Sequence, residues 1–300
     1  MALADVLITL STVVGLMLVV ATAALVGFGR LLGALRDARR RLDAVAPYLV
    51  VLLFVLGLRR LALTYGPAFS WLLDINITTF IYSIEGTAIT RLQAIETPLV
   101  TRYFIYSYLY GYSFLLLFPF VAYFALDDTT HLRELVVADL LNYAIGLVCY
   151  VLFIAYGPRN LNIAPELLYD IYPQSQLLTS EVNRNVNVFP SLHTSLSVTV
   201  AALAVRTRDE YPYWAILSLL LAASVSVSTM YLAIHWIIDV LAGTVLGLVA
   251  YWGGIHSPRV TGGMVVSHVD DRTAWIDRAR RLRRWIRSLV GRGDLHSDRE

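Results

Sequence analysis

The sequence has no lysine, a single cysteine and few charged residues, and each shortage excludes a class of chemistry. Without lysine, neither a Schiff base nor a lysine nucleophile can form. The one cysteine, Cys149, lies in an apolar run, so the chain has no internal disulfide and no cysteine cluster to bind a metal. Charged residues make up 15% of the 300 residues and hydrophobic residues 57%, which is too apolar for a soluble domain. We therefore expect an integral membrane protein.

Long apolar runs recur along most of the chain, and each approaches the roughly 20 residues that a transmembrane helix needs. They lie near residues 5–28, 44–63, 104–125, 135–156, 189–205, 213–231 and 233–252. We predict an all-α, polytopic membrane helix bundle with six or seven spans, the first of them a retained span rather than a signal peptide. Residues 74–101 have mixed polarity and are expected to form interfacial or re-entrant helices.

Arginine is concentrated in the connection from Arg30 to Asp43, and short basic loops stay in the cytoplasm. This places the N-terminus outside, and seven spans then bring the C-terminus to the cytoplasm of a cell-membrane protein. We divide the chain into one transmembrane catalytic domain, residues 1–255, and a tail, residues 256–300. Residues 271–290 predict a basic amphipathic helix, which we expect to bind anionic inner-leaflet lipid rather than nucleic acid.

Two polar segments stand at the start of late spans. Residues 187–195 hold Ser191 and His193 just after a proline, a residue that suits the first turn of a helix. In the second segment His235 precedes Asp239 by four residues, a spacing that puts both on one face of a helix. A carboxylate beside an imidazole fixes its tautomer and leaves the far nitrogen free to attack. Because the two spans run in the same direction, both histidines are expected at the non-cytoplasmic face.

These segments resemble the later motifs of the type 2 phosphatidic-acid phosphatase superfamily, Pro-Ser-Gly-His and Ser-Arg, five residues, His, three residues, Asp. The resemblance covers mainly residues 155–250 and implies a six-helix phosphatase-like core. The family's glycine is Leu192 here, the arginine of its last motif is Thr229, and its lysine-initiated first motif is absent. In these departures the chain is more similar to the branch that contains inositol-phosphoceramide synthases and related lipid phosphotransferases.

The resemblance implies a double displacement on a lipid phosphate. His235 would attack phosphorus, Asp239 would support the resulting cation, and His193 would protonate the departing alkoxide. Water or an alcohol would then resolve the phosphohistidine, so the same residues serve a phosphatase or a phosphotransferase. The resemblance implies membrane lipids as partners, a polyol such as inositol or glycerol as an acceptor, and neither a metal nor a cofactor.

The phosphate-binding residues must differ from those of the family. Arg159 and Arg184 are our predicted replacements for the missing arginine, since a guanidinium binds two phosphate oxygens in a fixed geometry. We add Asn160, Ser191 and the free amides at the start of the helix that carries His193.

Two functions of other classes stay open. In a transporter, the two histidines and Asp239 would relay protons together with Asp139, which is three residues from Asn142 in the fourth span. A transporter would spread its buried charges through several spans, whereas here they concentrate at one end of two spans. The second alternative is an inactive lipid-binding scaffold, which the complete set of two histidines and one aspartate disfavours.

Overall fold

The computed structural model describes residues 3–176, 188–257, 259–261 and 264–266. Arg184 and the predicted tail helix, residues 271–290, lie outside these described residues. The chain divides into two units, residues 1–257 and 258–300. In the second unit, strand β1 (Arg259–Thr261) pairs antiparallel with strand β2 (Met264–Val266).

The first unit is built of helices. The long ones are α1 (Leu3–Ala21), α3 (Ala38–Leu73), α6 (Pro98–Tyr106), α7 (Tyr112–Phe124), α8 (Thr130–Leu152), α10 (Leu192–Arg206), α11 (Pro212–Tyr231) and α12 (Ile237–Ile255). A π-helical turn, Thr22–Val26, extends α1, and another, Ser107–Gly111, joins α6 to α7. The shorter helices are α2 (Phe28–Arg36), α4 (Thr78–Glu85), α5 (Ala88–Gln93), a 3-10 turn (Pro158–Leu161) and α9 (Leu167–Ile171).

Within the described residues, 6 helices are long and apolar enough to cross a membrane. They begin at Leu3, Ala38, Pro98, Thr130, Pro212 and Ile237. Helix α10 is a seventh, shorter apolar helix of 15 residues. The predicted all-α polytopic bundle is therefore confirmed.

Helix α10 lies at the centre of the bundle, in contact with α7, α8, α11 and α12. Two of its hydroxyl residues, Ser195 and Thr199, bond to neighbouring helices instead of facing lipid. Asn142 of α8 donates to the Thr199 hydroxyl at 2.9 Å and accepts from Ser195, while the Thr199 hydroxyl lies 2.9 Å from the Gly247 carbonyl of α12. These bonds explain why α10 is polar and short, because a helix shielded by protein need not span about 30 Å of hydrocarbon. Asn142 thus has a structural use in the bundle.

The connections gather at two opposite ends of the first unit. At one end, Arg30 after α1 forms an ion pair with Glu210 before α11 at 2.9 Å. At the other end, the Ile77 amide donates to the Ile154 carbonyl, and the Ser191 amide donates to the Asp239 carbonyl, both at 3.0 Å. The first end is rich in arginine, and the second carries the two polar segments that begin α10 and α12.

Residues 74–101 form the short helices α4 and α5 and the start of α6, in line with the prediction of helices that do not span. Ile81 and Ile89 are buried at 1% and 0% exposure, in a cluster with Trp236. Gln93 donates to the carbonyl of Tyr231, the last residue of α11, at 2.9 Å. This segment therefore packs directly on the connection between α11 and α12.

Candidate active site

His193 is the second residue of α10 and is partly exposed. The hydroxyl of Ser191 caps this helix by accepting from the Thr194 amide at 3.3 Å. The imidazole lies between two tyrosines of the π-helical turn and α7, with ring centroids 4.8 Å from Tyr108 and 4.4 Å from Tyr112. These two ring contacts restrict the orientation of the His193 imidazole.

His235 lies in the tight connection after α11. The Thr229 carbonyl accepts from the amides of Ile234 at 2.9 Å and His235 at 3.1 Å, which closes the end of α11. Ala233 adopts a left-handed conformation with a φ of 55°, and its carbonyl accepts from the Arg159 amide at 3.0 Å. This backbone network fixes the position of His235, which is 2% exposed.

Asp239 lies beside His235, but the two residues do not share one face of a helix as predicted. His235 precedes α12, whose N-cap is Trp236, so the pair spans a helix start rather than a helical turn. Asp239 Oδ2 accepts from the Trp236 amide at 2.9 Å and lies 3.4 Å from His235 Nδ1. The carboxylate therefore serves both as a helix cap and as the neighbour of the imidazole. Its capping bond fixes the carboxylate independently of the histidine.

The ring centroids of His193 and His235 are 6.1 Å apart. The structure thus brings the two histidines and Asp239, predicted from separate spans, to one end of the bundle. Their catalytic roles stay predictions at this point.

Arg159 lies beside the connection that carries His235 and belongs to neither of the two sequence motifs. Its amide donates to the Ala233 carbonyl, two residues before His235, at 3.0 Å. Its guanidinium carbon is 4.9 Å from the ring centroid of Tyr169, and the residue is only 7% exposed. Within the described part of the chain, its Nη1 is buried and has no hydrogen-bond partner. A buried cation with an unused donor is suited to receive an anion.

The other predicted phosphate ligands have mixed outcomes. Asn160 lies half-buried in the same 3-10 turn, where its amide donates to the Gly157 carbonyl at 3.0 Å. Ser191 is fully buried as the cap of α10. Arg184 lies outside the described residues. Thr229, which stands where the family has an arginine, is 0% exposed at the end of α11.

Four further residues at this end were not predicted as site residues from the sequence. Glu85 accepts from the amides of Ile237 at 2.9 Å and Ile238 at 2.6 Å. Burial raises the pKa of Glu85, these two amides oppose the rise, and the charge of Asp239 adds to it. Glu85 occupies the amides at the start of α12. An anionic group can therefore bind at the start of α10 but not at that of α12. The other three residues are Arg59 of α3, whose charge acts on His193, and the flanking tyrosines 108 and 112.

The tyrosines carried a partial signal in the sequence. Five tyrosines crowd residues 103–112, which is typical of an interfacial belt or of a wall along which lipid enters. Tyr103 and Tyr106 are indeed 52% and 56% exposed, but Tyr108 is 7% exposed and faces His193. The π-helical turn rotates this part of the helix, and such turns are frequent at functional sites.

The profile of the PAP2 superfamily matches residues 84–253, more than half of the chain. The chain belongs to the PAP2 superfamily. This membership assigns it to phosphatase-like phosphoesterases, and the match includes α6 to α12 but neither α1 nor α3.

An uncharacterized protein of Methanocaldococcus jannaschii is 27% identical over 158 residues, which is 51% of this chain. The aligned region spans 60% of that relative's length. No solved structure matches the chain.

Proposed function

We propose that this PAP2 protein is an integral-membrane lipid-phosphate phosphatase or phosphotransferase that works through a phosphohistidine on His235. The observation that carries the proposal is the meeting of His193, His235 and Asp239 at one end of the bundle, with the 7% exposed Arg159 on the turn that bonds to the connection carrying His235. Each group has one task in phosphoryl transfer, and the set leaves none of the tasks unassigned.

In the first step the far nitrogen of His235 forms a bond to phosphorus, and the bond from phosphorus to the lipid alkoxide breaks. His193 gives its proton to that alkoxide, and Asp239 stabilises the positive charge that develops on the phosphorylated imidazole. In the second step His193 removes a proton from water or an alcohol, whose oxygen attacks phosphorus and releases His235. Protons and charge balance over the two steps.

Arg159 is our choice for the phosphate clamp. Arg159 is oriented by its stacking on Tyr169, and among the described residues its Nη1 has no hydrogen-bond partner. Two of its N–H groups can bind two phosphate oxygens, and it stays charged when buried. The amides at the start of α10, beside His193, would bind the remaining oxygen.

A lipid substrate is supported by the setting of the site, which lies at one end of a bundle in which six of the described helices are apolar enough to cross a membrane. We expect the hydrocarbon chains of the substrate to stay in the surrounding lipid while its phosphate reaches His193.

The orientation of the chain is part of the proposal. The end opposite the site carries Arg30, Arg206 and Arg208, together with the basic stretch 36–41, and short basic connections face the cytoplasm. The active site then faces the non-cytoplasmic side, with the N-terminus outside and the C-terminus in the cytoplasm. Anionic inner-leaflet lipid remains our predicted partner for the tail.

The test is incubation of purified protein with a panel of lipid phosphates, with and without inositol or glycerol. Free phosphate indicates a phosphatase, and a new headgroup lipid indicates a transferase of the inositol-phosphoceramide-synthase kind. His235→Ala is expected to abolish both products, whereas His256→Ala, an exposed histidine at the opposite end, keeps them. Undiminished turnover by His235→Ala would reject the nucleophile.

A transporter is the alternative of another class, and the same preparation tests it. Reconstituted vesicles would then move protons or ions without consuming any lipid phosphate. Activity of the wild-type protein on lipid phosphates, lost in His235→Ala, would leave that alternative without support.

A further inference from the structure

The connection that carries His235 is held from outside at both of its ends. On one side, Gln93 of α5 donates to the carbonyl of Tyr231, the last residue of α11, at 2.9 Å. On the other side, Glu85 of α4 accepts from the amides of Ile237 and Ile238, the first residues of α12, at 2.9 and 2.6 Å. One side chain thus binds a helix end and the other a helix start, where backbone groups lack partners within the helix.

Helix α4 makes further contacts with the same connection. The Thr78 hydroxyl accepts from the Tyr156 amide at 3.1 Å, and the Tyr156 carbonyl accepts from the Trp236 indole at 2.7 Å. The ring of Tyr82 meets that of Trp236 edge to face, with centroids 6.2 Å apart. Helix α4 is therefore docked on the residue that follows His235 and caps α12.

Two carboxylates share the start of α12 and divide its amides between them. Asp239 accepts from the Trp236 amide, and Glu85 accepts from the next two. A helix start stabilises both negative charges. Because Glu85 already holds Ile237 and Ile238, Asp239 keeps its own bond and stays 3.4 Å from His235 Nδ1.

We propose that Glu85 is a positioning residue for the His235–Asp239 pair and that Gln93 assists it from the other end of the connection. Neither side chain touches the reacting atoms. Their effect is to fix the distance and angle of the imidazole relative to His193. This inference rests on the proposed function, because it supposes that the pair is the reacting pair.

The test compares Glu85→Gln and Glu85→Ala with Glu96→Gln, an exposed glutamate of the same segment. The glutamine keeps the size of the side chain, but its amide group presents a donor to one of the two amides. Displacement of a reacting group by about 1 Å costs on the order of 100-fold in rate. We therefore expect kcat to fall about 10- to 100-fold in both Glu85 variants, with KM changed less than about threefold.

A second readout does not depend on turnover. Hydrogen exchange of the peptide that contains Ile237 and Ile238 should become about tenfold faster in Glu85→Gln, because both amides lose their charged acceptor. Glu96→Gln should leave this exchange and kcat unchanged. Glu85→Gln, rather than Glu85→Ala, decides the matter if the alanine variant does not fold.

The outcomes separate this inference from the proposed function. Faster exchange in Glu85→Gln with kcat within twofold of wild type would overturn the positioning role while the enzyme activity stands. Unchanged exchange would overturn it whatever the activity. Absence of turnover in the wild-type protein on every phosphate tested would instead reject the proposed function.

Discussion

Substitution of Arg159 by methionine separates binding of phosphate from folding. Methionine fills similar space and removes the charge, while the backbone bond from residue 159 to the Ala233 carbonyl remains. The connection that carries His235 therefore keeps its support from this side. In Arg159→Met, the change in kcat/KM and the change in unfolding temperature are therefore expected to differ in sign or size.

The magnitude follows from the bonds lost. A guanidinium that binds two phosphate oxygens makes two charge-assisted hydrogen bonds, each worth about 1.5–3 kcal/mol. Their loss amounts to roughly 3–6 kcal/mol in the transition state, or about 100- to 10,000-fold in kcat/KM. Arg159→Lys keeps the charge but only one directed bond, so we expect a loss of about 10- to 100-fold.

Stability should change little in Arg159→Met. The stacking of Arg159 on Tyr169 contributes about 0.5–1 kcal/mol. Against this loss, the variant removes a buried donor without a partner in the described residues, whose desolvation costs about 1–3 kcal/mol. We expect the unfolding temperature in detergent to stay the same or rise slightly.

The assay is release of phosphate from a lipid phosphate, measured with the thermal unfolding curve of the same sample. Arg91→Met, at an exposed arginine of α5 on the same end, is the matched control and should keep wild-type values. Two results would reject Arg159 as the phosphate-binding residue. One is a loss of activity in Arg159→Met only in proportion to the loss of folded protein, and the other is a kcat/KM within threefold of wild type.

His193→Ala should lose about 100- to 10,000-fold on a lipid phosphate but far less on p-nitrophenyl phosphate, whose leaving group needs no proton; equal losses would exclude a general acid. Gly247→Val should lower the unfolding temperature by the equivalent of about 1–3 kcal/mol, because its side chain meets the Ser195 carbonyl; an unchanged melting curve would contradict this packing. In a cysteine-free background, Glu96→Cys should react with an impermeant maleimide in intact cells and Arg36→Cys should not; the reverse pattern would invert the proposed topology.

The part of the site that could be predicted from the sequence is the part that lies near helix starts. A proline precedes His193 and a carboxylate follows His235, and both residue types are common where helices begin. The direction of successive spans then places both histidines at one end. Counting spans needs only hydropathy, and for this reason the fold class could be predicted as well.

The details that could not be predicted depend on contacts between distant residues. The bond from the Ile237 amide to Glu85 joins positions 152 residues apart. The spacing of apolar and polar residues along the sequence cannot predict such a contact. The spacing from His235 to Asp239 fits a helix, but the left-handed Ala233 and the cap at Trp236 move the helix start past the histidine. Capping geometry thus replaced the predicted helical face while preserving the proximity of the two side chains.

The proposed mechanism places the choice between hydrolysis and transfer at His193 rather than at the nucleophile. In a double displacement, the second attacking oxygen approaches phosphorus along the line by which the first oxygen left, so the residue that protonated the leaving group must also activate the acceptor. In this mechanism His235, which is 2% exposed, contacts the substrate only at phosphorus, whereas His193 is partly exposed between Tyr108 and Tyr112. Whatever can enter beside those two tyrosines, water or the hydroxyl of a polyol, therefore determines the product.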